Sequence, residues 1–191
     1  MILHKAKEHI YDAEQAMAML KAGNARYVEN RLCDKTKYET AREELADAQN
    51  PFAVVICCSD SRVAPELFFD QRLGDIFVIR NAGNIVDNVV LGSVEYAVEA
   101  LHCPLVVVCG HSHCGAVGAA CHGGHKFPHM ESLMKRIQPA VEAGGHDEEE
   151  ISRINVRNMV KQLQDDSLVD DMGTVVCGAF YDITTGEGSW L

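Results

Sequence analysis

The sequence contains no dense cluster of Lys or Arg, no long apolar run, no internal repeat and no low-complexity segment. With 17 Lys and Arg against 28 Asp and Glu, and a formal net charge of -11 at pH 7, it lacks the basic face on which nucleic-acid binding rests. Met1 to Ala6 lead into no apolar stretch, so neither a secretory signal nor a membrane span is expected, and a cytoplasmic location is. In a reducing compartment the 8 cysteines are not a disulfide framework, which leaves packing, metal binding or catalysis as their uses. What is present, 47% hydrophobic and 24% charged residues over 191, suits one soluble domain, residues 1–191, with a buried core.

Helical spacing of Ile10, Ala13, Met17, Leu20 and Tyr27 predicts an amphipathic helix from Glu8 to Asn30, with Gly23 as a candidate break. A mostly polar helix over Thr36 to Ala48 should end before Asn50-Pro51. Three apolar, β-branched runs follow, Phe52 to Cys57, Asp75 to Ile79 and Leu105 to Cys109, and they read as parallel strands buried on both faces. Between the last two, Val89, Val90, Val94, Ala97, Val98 and Leu101 recur at helical spacing over Asn88 to Leu101, completing a βαβ unit. Further helices are predicted over Ala116 to Cys121, Met130 to Glu142 and Asp147 to about Gln164, the last opening on an acidic run that suits a helix N-terminus. A strand over Thr174 to Tyr181, a turn at Thr185-Gly186 and a short strand over Gly188 to Leu191 complete the chain. The class is α/β, with about four parallel strands, one antiparallel edge strand and flanking helices.

Two segments carry candidate chemistry. Cys58-Ser59-Asp60-Ser61-Arg62 follows the first run directly, and an extended backbone there would put Cys58, Asp60 and Arg62 on one side. A buried thiol next to a surface ion pair gives the same pattern. His111-Ser112-His113-Cys114 follows the third run and Gly110; as the first turn of a helix, its spacing of three would place His111 and Cys114 on one face and turn His113 away. Each segment lies at the carboxyl end of an expected parallel strand, where open α/β sheets bind ligands. Two thiolates and one imidazole suit tetrahedral zinc with one position open, the mark of a catalytic rather than a structural site. The thiolates would cancel the charge of the ion, so a further group must keep its water acidic.

Taken with Arg80-Asn81-Ala82-Gly83-Asn84 and Glu95-Tyr96-Ala97-Val98 between them, these segments resemble the zinc signature of the β-class carbonic anhydrases, strongly over Gln49 to Ala119 and weakly in the flanks. The resemblance implies Zn²⁺ on Cys58, His111 and Cys114, and reversible hydration of CO₂ to bicarbonate and a proton through zinc-bound hydroxide. It implies that Asp60 accepts a hydrogen bond from that hydroxide while Arg62 holds Asp60 ionised, and that Asp60 can ligate zinc instead in an inactive state. It gives Gln49 as donor to a substrate oxygen, where a polar helix end is the other reading. It gives Tyr96 as a wall of the cleft, where a core residue is the other reading. It implies a homodimer or homotetramer, with the N-terminal helices (roughly residues 8–48) packing on a partner subunit and the cleft at the interface.

Members of that family that switch off through a noncatalytic bicarbonate site carry a tryptophan just before the metal cysteine. Val55 stands there in this chain, which argues for the always-open type. Two other functions fit the same zinc ligands: hydrolysis of a related cumulene, carbon disulfide or carbonyl sulfide, and a non-catalytic zinc-stabilised binding protein. The second would be expected to lack Asp60 or Arg62.

Arg80 and Asn81 end the second strand and either line the site or bridge loops, and Gly83 suits a tight turn or a close backbone approach. Cys33, Cys57, Cys103, Cys109, Cys121 and Cys177 read as small hydrophobes, with Cys57 opposite in parity to Cys58. His122, His125 and His129 either sit in a solvated loop or hold a second metal or shuttle protons.

Overall fold

A computed structural model describes residues 11–36, 38–123 and 127–191. The strands β1 (Ala53–Cys58), β2 (Ile76–Asn81), β3 (Leu105–His111), β4 (Val175–Tyr181) and β5 (Gly188–Trp190) form one sheet in the order β2-β1-β3-β4-β5. The first four are mutually parallel and β5 runs antiparallel to β4, as expected from the sequence. Central β1 and β3 are buried along their whole lengths. The expectation for β2 is corrected: it ends the sheet and is mostly half-buried, because its apolar run has a neighbouring strand on one side only.

The described residues form eight α-helices around the sheet: α1 (Ala13–Val28), α2 (Tyr38–Glu44), α3 (Pro65–Phe68), α4 (Asn88–Glu99), α5 (Gly115–His122), α6 (Met130–Gly144), α7 (Glu148–Gln164) and α8 (Ser167–Asp171). The expected helix start at Glu8 to Ile10 and residue Lys37 of the expected second helix lie outside the described residues. Side chains alternate across each strand, so Val54, Ile56 and Cys58 enter one core, while Ala53, Val55 and Cys57 enter the other. The first core is closed by Val90, Val94 and Val98 of α4, Ile137 of α6, and Ile151, Val156 and Leu163 of α7. The second is closed by Ala16 and Leu20 of α1 and Phe68 of α3, whose ring stacks 4.4 Å from that of Tyr181.

Local chemistry explains where the helices start. Asp12 accepts the Gln15 backbone N–H while the Gln15 side chain accepts the Asp12 N–H, a reciprocal cap that sets the first turn of α1. Asp87 caps α4 and Asp147 caps α7, so the acidic run after Asp147 does lie in a first turn. No break occurs at Gly23. A Cβ there would lie 1.7 Å from the Phe69 carbonyl oxygen, so glycine is what lets α1 close onto the loop after α3. The next residue, Asn24, donates to the Phe68 and Gly186 carbonyls at 2.9 Å each and accepts the Gly188 N–H at 2.8 Å. The buried face of α1 is thus taken up by its own chain.

Val89 departs from its expected place in the core: it starts α4 with 77% of its surface exposed. No helix among the described residues is long and apolar enough to cross a membrane.

Candidate metal centre

Strands β1 and β3 are parallel neighbours, so their carboxyl ends emerge side by side. Cys58 is the last residue of β1 and His111 the last of β3. The chain then turns through Ser112 and His113, which adopts a φ of +53°, to place Cys114 at the N-cap of α5. His111 and Cys114 therefore do not share a helical turn, as their spacing had suggested. A strand end and a helix cap bring them together instead. The Cys58 and Cys114 sulfurs and a His111 ring nitrogen all lie within 4.8 Å of one another, and all three residues are buried.

The surroundings of the three atoms suit a cation. His111 Nδ1 lies 2.9 Å from the Ser112 carbonyl oxygen and donates to it, which leaves Nε2 with a free lone pair. That Nε2 is buried with no hydrogen-bond partner among the described residues, an arrangement that a metal ion resolves. The Cys58 sulfur accepts the backbone N–H groups of Asp60 and Gly83, each at 3.4 Å. The hydrogen bond from Cys114 pulls the Cys58 thiol well below its ordinary value, and holding that shared proton pushes Cys114 up. A dication would displace that proton and hold both sulfurs as thiolates. Two sulfurs, one imidazole and close mutual approach match the zinc donor set.

Asp60 and Arg62 sit in a turn after β1 rather than on an extended segment. Their meeting comes from that turn: the Arg62 backbone N–H binds Asp60 Oδ1 at 2.9 Å, and the guanidinium grips both oxygens at 2.9 and 2.7 Å. The same guanidinium reaches the His113 carbonyl at 3.3 Å, tying the two ligand segments together. These bonds from Arg62 hold the Asp60 carboxyl far below the usual carboxylate range. Arg80 bridges loops: it donates to the Cys58 carbonyl at 3.0 Å and to the Asp60 carbonyl at 2.8 Å. Asn81 closes the next turn on itself through Ile85 N–H and C=O.

Gln49 is exposed and precedes β1, so about 20 Å of strand separates it from the ligands of its own chain. Tyr96 is 47% exposed, and its ring lies 6.2 Å from that of Phe77 on β2. Cys57 faces the opposite core from Cys58, and burial pushes its thiol up to about 12. His122 is exposed, with Nδ1 on the Gly118 carbonyl, and His125 lies outside the described residues. Among the described residues, Cys58, His111 and Cys114 are the only group of three or more side chains placed to hold a metal. The Gly83 N–H that meets Cys58 was not legible as a site contact, since a backbone donor leaves no mark in side-chain spacing.

The family model described as carbonic anhydrase matches residues 53–188. A carbonic anhydrase of Mycolicibacterium smegmatis is 43% identical over 157 residues, which cover 78% of this chain and 76% of that one. Carbonic anhydrase 2 of Mycobacterium tuberculosis is 45% identical over 136 residues, covering 69% of this chain and 66% of that one. Among solved structures, a tetrameric beta-carbonic anhydrase of Sordaria macrospora superposes with a TM-score of 0.73 at 27% identity, covering 92% of this chain and 95% of its own.

Proposed function

Because this chain belongs to the carbonic anhydrase family, in its β class, we propose that it catalyses the reversible hydration of CO₂ to bicarbonate and a proton. The single observation that carries this reading is the buried group of Cys58, His111 and Cys114, with an unpartnered His111 Nε2. Zinc held there would supply Lewis acidity that brings the pKa of a water from about 15.7 toward about 7. The rest falls to the chain's own residues. Asp60 is fixed as an anion by Arg62, so it can only accept a hydrogen bond, and the reacting hydroxyl is the donor it would orient. Both carboxylate oxygens lie on Arg62 and neither belongs to the metal-binding group, which supports the open arrangement in which Asp60 does not compete for the ion.

The site extends to a second subunit. Gln49 cannot reach its own chain's ligands, so its proposed role as donor to a substrate oxygen requires it to come from a partner, in a homodimer or homotetramer whose cleft lies at the interface. The half-buried edge strand β2 and exposed Tyr96 are surfaces that such a partner would cover. The N-terminal helices would meet the partner through faces other than the one α1 already buries. A cytoplasmic location accompanies this reading.

Stopped-flow hydration assays decide the substrate. CO₂ turnover at neutral pH with neither carbon disulfide nor carbonyl sulfide consumed supports the proposal, and consumption of either sulfur compound without CO₂ turnover replaces it with the cumulene hydrolase. Zinc without any turnover would leave a non-catalytic binding protein, against which the Asp60–Arg62 pair speaks.

A further inference from the structure

Asn155, in the middle of α7, is 1% exposed, on a helix whose Ile151, Val156 and Met159 enter the apolar core. Its Nδ2 donates to the Gly83 carbonyl at 2.9 Å, while its Oδ1 is buried and meets no donor among the described residues. A buried amide with one end unmet costs about 1–3 kcal/mol, so packing alone is a poor reason for its being there. Its one bond falls on the residue whose own N–H points at the Cys58 sulfur at 3.4 Å.

Gly83 is held on every side. Its φ of +77° suits glycine, and a Cβ would lie 2.8 Å from Ile137 Cδ1 and 3.2 Å from the Ala116 Cβ. Asn81 closes the turn ahead of it, and Met159 Sδ accepts the Val86 N–H at 3.0 Å beyond it. Helix α7 therefore grips the Ala82–Val86 loop at two points, one of them Gly83 itself.

We infer that Asn155 is a positioning residue for the metal centre: by fixing Gly83 it keeps the Gly83 N–H on the Cys58 thiolate, and so sets how firmly zinc is held and how much charge that sulfur gives it. A hydrogen bond to a thiolate draws electron density away from the metal, which helps a doubly thiolate-ligated ion keep its water acidic. This inference rests on the zinc reading above.

The test uses Asn155→Leu, which keeps the branching of the side chain and removes both the unmet Oδ1 and the Nδ2 donor to Gly83. Zinc transfer from the loaded protein to a chromophoric chelator should be roughly 10-fold faster than in the parent. In cobalt-substituted protein the thiolate-to-metal charge-transfer band should shift. The melting midpoint of the metal-free protein should move by only a few degrees, since the unmet Oδ1 is removed while the Gly83 carbonyl loses its donor, whereas a purely structural role would lower it steeply without a matching change at the metal. If Asn155→Leu does not fold, Asn155→Ala carries the zinc-release and charge-transfer readouts. A folded variant with parental zinc release and an unshifted band overturns the inference, as does failure of both variants to fold, which would make the amide a fold-holding residue. A parent that binds no zinc, read first in the same assay, overturns the proposed function along with it.

Discussion

Asp60 is held by three hydrogen bonds from one neighbour, Arg62, and the backbone turn between them is as much a part of the device as the ion pair. Asp60→Asn keeps the shape but removes the fixed negative charge, and it places an NH₂ where only an acceptor belongs. It should leave zinc content unchanged and lower CO₂ turnover by about 10- to 100-fold in stopped-flow assays. An unchanged rate would remove the aspartate from the mechanism. At this scale the sequence was legible wherever residue type carries the chemistry: Cys58, His111, Cys114, Asp60 and Arg62 all meet at one place. The local geometry was less so. Extended parity and a helical turn were reasonable expectations for the two motifs, but a turn and a strand-to-helix junction do the work. Asn155 gave no signal, because a lone asparagine in an apolar helix face has no pattern until the loop it touches is in place.

At the scale of elements, the attachment of the N-terminal segment rests on two residues of unusual tightness. Gly23→Ala would drive a methyl group into the Phe69 carbonyl, and lifting α1 to relieve it would uncover Leu20; a loss of about 3 kcal/mol in denaturant unfolding is expected. Asp70 ties the last turn of α1 and the stretch after it to the loop after α3, through Arg26 at 2.6 Å, Lys35 at 3.1 Å and the Cys33 N–H at 3.0 Å. Burial pushes the Asp70 carboxyl up, but these partners outweigh it and hold it at about 2, against its usual 3.8. Because the folded value lies below the unfolded one, the stabilisation is whole above about pH 4 and is lost as pH falls toward 2. Asp70→Asn should cost about 2 kcal/mol at pH 7, and its deficit against the parent should close as the pH drops below 3. A deficit that stays constant over that range would contradict the role given to Asp70. The long elements were legible from periodicity and caps. The four-residue α3 and five-residue α8 were not, being too short to show a period, and the exposure of Val89 shows that helical spacing assigns a face only to within a residue or so.

For the whole molecule, the parallel class of the sheet was readable because β-branched runs separated by long connections leave few alternatives, and the Thr185-Gly186 turn pointed to the antiparallel edge; the order β2-β1-β3-β4-β5 was not, because nothing in the runs says which neighbours pair. Metal and fold should be coupled, since the three ligands join β1, β3 and α5. Stripping the ion with a chelator should lower the melting midpoint by about 10 °C, and added zinc should restore it. An unmoved midpoint would mean that no ion is held between these elements. The most direct measurement is X-ray absorption at the zinc edge on the purified protein. Two sulfur scatterers at about 2.3 Å together with one imidazole are the expected first shell. A spectrum with no sulfur around the metal, or no zinc to absorb, would contradict it.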